Sequence, residues 1–353
     1  MKKLLALVLA LVMVLALTAC GGSGSNAEAP AEEPAADAAE APAEQPAAEE
    51  PAEAPSVSAN LSMGTGGESG TYYAYGGVLA TYLGQETDIS VTVNSTGGSA
   101  ANITGIDTGM YDLATVQSDV LGYAYNGTNT YEESGAVQSF VALGALYAET
   151  VQIVTCNPDI QSVEDLAGKS ICVGDVGSGT YYNTVDILGA YGMDIKNDVN
   201  AVYQSFGDSV ESLKDGKIDA AVITAGAPTP AVTDLSATND VYLISIDEEH
   251  MATLLANAPW YASYTIPAGT YNGFDEDATT ITTKATLIAR ADIDDDVAYT
   301  IVSTIFDNKD AITELHAKGA ELDLTFATEG IAAPFSAGAA KYFAEQGIDV
   351  EVG

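Results

Sequence analysis

The chain has 353 residues and a formal net charge of -39 at pH 7. Nucleic-acid binding needs a basic footprint, and a surface this acidic repels phosphate backbones. Of its 11 basic residues only Arg290 is arginine, so no arginine cluster can clamp an anionic ligand. Backbone N–H groups and helix N-termini are the remaining anion binders.

The first element is MKKLLALVLALVMVLALTAC, residues 1–20. Two lysines, an apolar run and small residues ending at Cys20 make a secretory signal segment. Its end, LTAC, resembles the lipobox of bacterial lipoproteins, which implies lipidation of Cys20 as the first residue of the mature chain. Residues 21–57 consist largely of Ala, Glu and Pro, with no aromatic residue. Such a segment cannot bury enough apolar surface to offset its ordering entropy, so it reads as a disordered acidic tether between membrane and domain. No later run approaches the roughly 18 apolar residues of a membrane span.

From 58 onward the composition is globular, and the length predicts two lobes rather than one core. The stretch SGTYY occurs at 69–73 and again at 178–182. Each copy follows a short apolar run and glycines and leads into a helical pattern. For the first helix the predicted apolar face is Tyr75, Val78, Leu79, Tyr82 and Leu83; for the second it is Val185, Leu188 and Tyr191. GMYDLATVQSD (109–119) and GKIDAAVITAG (216–226) follow at nearly equal offsets, both reading Gly-x-x-Asp and then an apolar strand. Each half therefore reads β–glycine loop–α–β–loop–α–β, which predicts parallel α/β sheets. A further strand and helix at 285–308 and a last helix at 336–347 return to the first lobe. The expected fold is an α/β, two-lobed, periplasmic-binding-protein-like arrangement (a venus flytrap of type II). One lobe comprises 58–149 plus 286–353 and the other 150–285, with crossings near 147–155 and 285–290.

In open parallel sheets ligands bind beyond the carboxyl ends of the strands. Facing lobes would place both SGTYY corners on one cleft. A nucleotide reading fails on the residues: the sixth position of GTGGES is Ser69 rather than Gly, the next strand ends in Asn94-Ser95-Thr96 rather than an acid, and no Lys follows either loop. What the corners offer is N–H groups at helix starts with nearby hydroxyls, which suits a carboxylate. The candidate ligand residues are Thr65, Gly66, Gly67, Gly70, Thr71 and Tyr72 in the first corner, and Gly177, Ser178, Gly179, Thr180 and Tyr181 in the second. Loops after other strands add Ser95, Thr96 and Gly97, then Gln117 and Ser118, then Thr224 and Gly226. Tyr72 and Tyr181 are expected to face the cleft.

No nucleophile–base pair is visible, so no catalytic residue is assigned. His250 and His316 stand apart from any ligand-spaced cluster, and no metal or cofactor is expected. The acidic runs at 274–279 and 292–297 lack EF-hand spacing and read as solvated faces. Cys156 and Cys172 lie in apolar strand-like runs, where a disulfide and two buried thiols both fit.

Taken in order, GTGGESGTYYAYGG, STGGS, ATVQSD, VGSGTYYN, SVEDLAGKSICVG, KDGKIDAAVITAGAPTPAV and TIPAGTYNGFDED resemble the TAXI family of extracytoplasmic solute-binding proteins. The resemblance runs from about 60 to the C-terminus. It implies a monomeric receptor that captures a small carboxylate solute, such as glutamate or a dicarboxylate, and delivers it to a TRAP-type membrane permease. It also implies an exported, lipid-anchored location on the outer face of the cytoplasmic membrane. The family's cleft loops map onto Thr65 to Tyr72, Ser95 to Gly97, Gln117, and Gly177 to Tyr181. Glu68, inside the first glycine loop, either pairs with a ligand amine or points to water. Two other readings are a surface α/β enzyme, which predicts turnover, and a surface lipoprotein without a transport role.

Overall fold

The computed structural model describes residues 57–353. The signal segment, Cys20 and all of the tether but Val57 lie outside the described residues. Among the described residues no helix is long and apolar enough to cross a membrane.

The chain opens with β1 (Ser58–Gly64), α1 (Thr71–Glu86), β2 (Asp88–Asn94), α2 (Ser99–Asp107), β3 (Leu113–Gln117) and α3 (Ser118–Asn126). A long strand, β4 (Phe140–Thr155), carries it into a second set: β5 (Ser170–Cys172), α4 (Thr180–Ala190), β6 (Asn200–Val202), α5 (Phe206–Lys214), β7 (Ala220–Ala225), α6 (Pro230–Thr238), β8 (Tyr242–Leu243), α7 (Glu248–Asn257) and β9 (Ala262–Ile266). A second long strand, β10 (Ala278–Arg290), returns it to α8 (Asp295–Asp307), α9 (Lys309–Leu315), α10 (Leu324–Thr328) and α11 (Ala337–Glu345).

The strands join in one sheet, in the order β2-β1-β3-β10-β4-β7-β5-β6, with β8 and β9 attached to β4 and β10. The order shows a repeat. In the first lobe β1, β2 and β3 are parallel in the order 2-1-3, flanked by antiparallel β10. In the second, β5, β6 and β7 repeat that order, flanked by antiparallel β4. This is the two-lobed, periplasmic-binding-protein-like arrangement expected from the sequence. Loops do not make the crossing. β4 and β10 pair with each other from Phe140–Arg290 through Thr150–Thr282, so one antiparallel ribbon runs through both lobes. Fifteen of the sixteen β4 residues are buried. A strand covered on both faces must read as a nearly continuous apolar run, which explains its composition.

The Gly-x-x-Asp motifs have the same structural job in both lobes. Asp112 Oδ2 accepts from Ser62 N at 2.8 Å, and Asp219 Oδ2 accepts from Ser170 N at 2.8 Å. In return Asp112 N donates to Ser62 O, and Asp219 N to Ser170 O. Each aspartate thus staples the start of the third strand of its lobe to the first strand. A charged acceptor on a backbone N–H contributes about 1.5–3 kcal/mol. Asp219→Ala is expected to destabilise the protein by about 2 kcal/mol, measured by urea unfolding, with solute affinity unchanged. An unaltered midpoint would sink this role.

Helices cover both faces of the sheet. One core packs α1, α8 and α11 on β1 and β4, with Tyr75, Tyr147 and Phe343 fully buried. The helix α4 departs from its predicted face. Val185 is exposed, while Asn183, Thr184, Ile187 and Leu188 are buried. Apolar periodicity misplaced the face because two polar residues turn inward: Asn183 joins the cleft network, and Thr184 returns its hydroxyl to Thr180 O of the same helix. Cys156 and Cys172 are both free thiols.

Candidate functional site

The two SGTYY corners face each other across the cleft. In the first, α1 starts at Thr71 behind an extended Gly70, with no side-chain cap. In the second, α4 starts at Thr180 behind Gly179, again without a side-chain cap at that residue. Helix starts leave N–H groups without partners, and the aligned peptide dipoles put partial positive charge there. Both starts open on one buried cavity, formed by elements of both lobes. About 40 Å3 of it is open to the centre of a water-sized molecule. By that measure it holds about three waters.

Most predicted residues meet here. Gly66, Gly67, Gly70, Thr71, Tyr72, Thr96, Gly97, Gln117, Ser178, Gly179 and Thr224 line the cavity. The others are placed elsewhere. Thr65 is fully buried and donates to Asn94 O at 2.7 Å, fixing the turn behind the cavity. Ser118 faces β10, where its hydroxyl lies 2.7 Å from that of Thr283. Ser95 lies at the mouth, beside exposed Glu68. Thr180 is buried within its corner, 3.2 Å from Ser178 Oγ through its N–H. Tyr181 turns away from the cleft and stacks on Tyr203, with ring centroids 5.9 Å apart. The caps account for the difference from Tyr72. Gly70 is extended (φ -102°, ψ 163°), whereas Gly179 is already helical (φ -67°, ψ -22°). The same spelling therefore enters the two helices along different paths and presents different faces.

Gly177 and Gly226 act between the lobes rather than on the cavity. Gly177 O accepts from Ala100 N at 3.0 Å and Ala101 N at 3.3 Å, so the second corner caps α2 of the first lobe. Thr71 Oγ1 donates to Gly226 O at 2.8 Å, and Ala231 N donates to Ser69 O at 3.1 Å. A Cβ on Gly97 would lie 2.5 Å from Val176 O, and one on Gly179 would collide with the Gln117 amide. Several corner glycines thus let backbone approach backbone across the cleft.

A buried polar network locks the same face. Gln117 Nε2 donates to Asn183 Oδ1 at 2.9 Å, and Thr224 Oγ1 donates to the same oxygen at 2.8 Å. Asn183 Nδ2 donates to Asp119 Oδ2 and to the Tyr261 hydroxyl, each at 2.9 Å. Tyr261 lies 2.9 Å from Asp186 Oδ2 and 3.2 Å from Asp119 Oδ2. Burial raises the pKa of Asp119, and it pushes that of Asp186 up to about 6. Two carboxyl groups share one hydroxyl proton here, which favours a proton on one of them.

Sequence reasoning missed Asn183, Asn102 and Glu149. Asn102 is fully buried and donates to Thr65 O at 2.5 Å and Thr115 O at 2.7 Å, holding the first corner against β3. Asn183 directly follows the second SGTYY, where the first copy has Ala74. That break in the repeat was its only signal. Glu149 is the sole charged residue of the apolar run Phe140–Cys156 and lines the cavity.

The sequence pattern of the NMT1-like family matches residues 63–347, the whole two-lobed body apart from its ends. The chain belongs to the NMT1-like family. Solved structures similar to this NMT1-like protein include the alkanesulfonate-binding protein SsuA from Xanthomonas axonopodis pv. citri bound to MOPS, at 15% identity and a TM-score of 0.45, covering 81% of this chain and 90% of that one. The putative L-cystine ABC transporter from Listeria monocytogenes is similar at 14% identity and a TM-score of 0.45, covering 74% and 95%. The GluR0 ligand-binding core from Nostoc punctiforme in complex with (L)-glutamate is similar at 15% and 0.43, covering 74% and all of that chain.

The charges of the NMT1-like site are one-sided. Glu149 and Asp175 line the cavity, and among the described residues no Lys, Arg or His does. Burial pushes the Glu149 carboxyl up to about 8, against the opposing pull of Tyr147 and Lys318. Burial, and then the charge of Glu149, raises the pKa of Tyr72 well above the usual phenol range. Outside the cleft, Glu164, Asp247 and His250 meet on the surface of the second lobe. Asp247 is already spent there as the cap of α7 and the partner of His250 Nδ1 at 2.6 Å.

Proposed function

We propose that this protein is the extracytoplasmic solute receptor of a TRAP-type secondary transporter. In this reading it closes on a small carboxylate solute and hands it to a membrane permease. The observation that carries the proposal is one small cavity between the lobes into which the starts of α1 and α4 open from opposite sides. N–H groups of Thr71 and Tyr72 on one side, with the start of α4 on the other, suit one carboxylate without a formal cation. Contacts from both lobes make closure the favoured state once solute is bound. The signal segment and Cys20 support an exported, lipid-anchored receptor. The seven motifs resembling the TAXI family support the TRAP-type partner.

A thermal-shift screen of amino acids and small dicarboxylates tests the reading. A solute at a hundredfold excess over its Kd stabilises a protein by about 2.7 kcal/mol. Mass spectrometry of molecules that co-purify with the protein should return the same compound. Turnover of a probe would favour the enzyme reading instead, and no stabilisation by any probe would defeat the receptor reading.

A further inference from the structure

Glu149 is 1% exposed and sits on β4 where the ribbon passes between the lobes. Its Oε1 has no hydrogen-bond partner among the described residues. The hydroxyl of Tyr72, on the same cavity, is equally without one. Burying a polar atom unpaired is costly, and burying a charge unpaired is more so. The groups facing Glu149 are Tyr147 from its own strand, Tyr72 from α1, and Lys318 and Glu321 from the 3-10 turn Ala317–Glu321. Lys318 is committed: its Nζ lies 2.6 Å from Glu321 Oε1. The approach to the cavity repeats the pattern. Glu68, Asp175, Asp208, Glu211 and Asp234 line the mouth, with Lys214 already bridged to the last two.

These charges restrict the solute. A helix start supplies about half a positive charge, so two starts match one carboxylate. A dicarboxylate would set a second carboxylate against Glu149, whose own ionisation burial already opposes, in a space that no Lys, Arg or His of the described residues lines. An ammonium group supplies the partner that Oε1 lacks. We propose that Glu149 receives a protonated amine of the solute, so that the protein selects a zwitterion of zero net charge over a dicarboxylate. The proposal rests on the receptor reading above.

The test is titration calorimetry of wild type and Glu149→Gln with L-alanine, L-serine, L-glutamine, L-glutamate and succinate. A zero-charge zwitterion is expected to bind most tightly. Glu149→Gln should weaken it by about a hundredfold, the scale of losing one partner of a buried charge pair. The same variant should melt higher than wild type without solute at pH 9, because it removes a buried carboxylate. Between pH 6 and 8 wild-type affinity should rise, since the amine no longer has to displace a proton from Glu149, and the rise should vanish in the variant. Tighter binding of succinate, or full affinity in Glu149→Gln, would overturn the proposal and leave the receptor reading standing. Affinity falling over that pH range would also overturn it, because Glu149 would then act as a neutral donor to an acid. Failure of all five solutes to bind would count against the receptor reading itself and take this proposal with it.

Discussion

Gly179→Leu is expected to lower solute affinity by about a hundredfold while leaving the circular dichroism and melting temperature of the solute-free protein close to wild type. Gly179 has φ -67° and ψ -22°, a helical conformation open to any residue, so the backbone carries no strain. The obstacle lies across the cleft. A Cβ at this position would collide with the Gln117 side chain. That amide can move only by giving up its bond to Asn183. Larger atoms would also occupy the cavity that Gly179 lines. Overpacking a closed space costs about 1–3 kcal/mol, and a lost closed state appears directly as lost affinity. Gly179→Ala should be milder, near tenfold. Calorimetry measures the affinities, and small-angle scattering should show the leucine variant expanded when solute is added. Wild-type affinity in Gly179→Leu would remove the second corner from the site.

Asn183→Leu is expected to be at least as damaging, by a different route. The substitution keeps the branched outline of the side chain and removes the amide. Four buried partners from two lobes then lose their bonds: Gln117 and Asp119 on one side, Thr224 and Tyr261 on the other. An unsatisfied buried group costs about 1–3 kcal/mol, and a charged one more. With the lobes apart, water can serve Gln117 and Asp119, so the penalty falls chiefly on the closed form. Solute affinity should drop by about a hundredfold or more, and scattering should show the open form dominating. A variant that closes and binds like wild type would show that the network is incidental.

Both predictions rest on contacts between residues far apart in the chain, and that is where sequence reading thinned. The repeat was legible because SGTYY and Gly-x-x-Asp are local spellings with local consequences. A glycine turn must open the helix, and an aspartate ahead of a strand can reach the backbone beside it. Asp112 and Asp219 show this most plainly, since the same oxygen makes the same 2.8 Å bond in each lobe. The two tyrosines show the limit. Tyr72 and Tyr181 share a spelling and a helix position, yet one lines the cavity and the other stacks on Tyr203. A change of about 175° in ψ between Gly70 at 163° and Gly179 at -22° separates them, and nothing in SGTYY encodes it. The face of α4 failed for a related reason. Apolar periodicity finds the side of a helix that avoids water, and Asn183 avoids water because it bonds to Gln117 and Asp119 of the other lobe and to Thr224 and Tyr261 of its own.

By itself the sequence predicted an export signal and determined the acidic composition, the two similar lobes and the glycine corners that meet at a cleft. Those follow from composition and from patterns within a few residues, where bonding is decided by neighbours in the chain. Only the tertiary structure decided which corner atoms reach the cavity, that glycines also serve contact between lobes, and that no Lys, Arg or His of the described residues joins Glu149 on the cavity wall. Those are properties of chain segments far apart in sequence, as in the bond from Thr71 to Gly226, 155 residues on. Burial sets Glu149 apart from an ordinary glutamate in a strand, because a carboxyl removed from water resists ionising unless a partner reaches it.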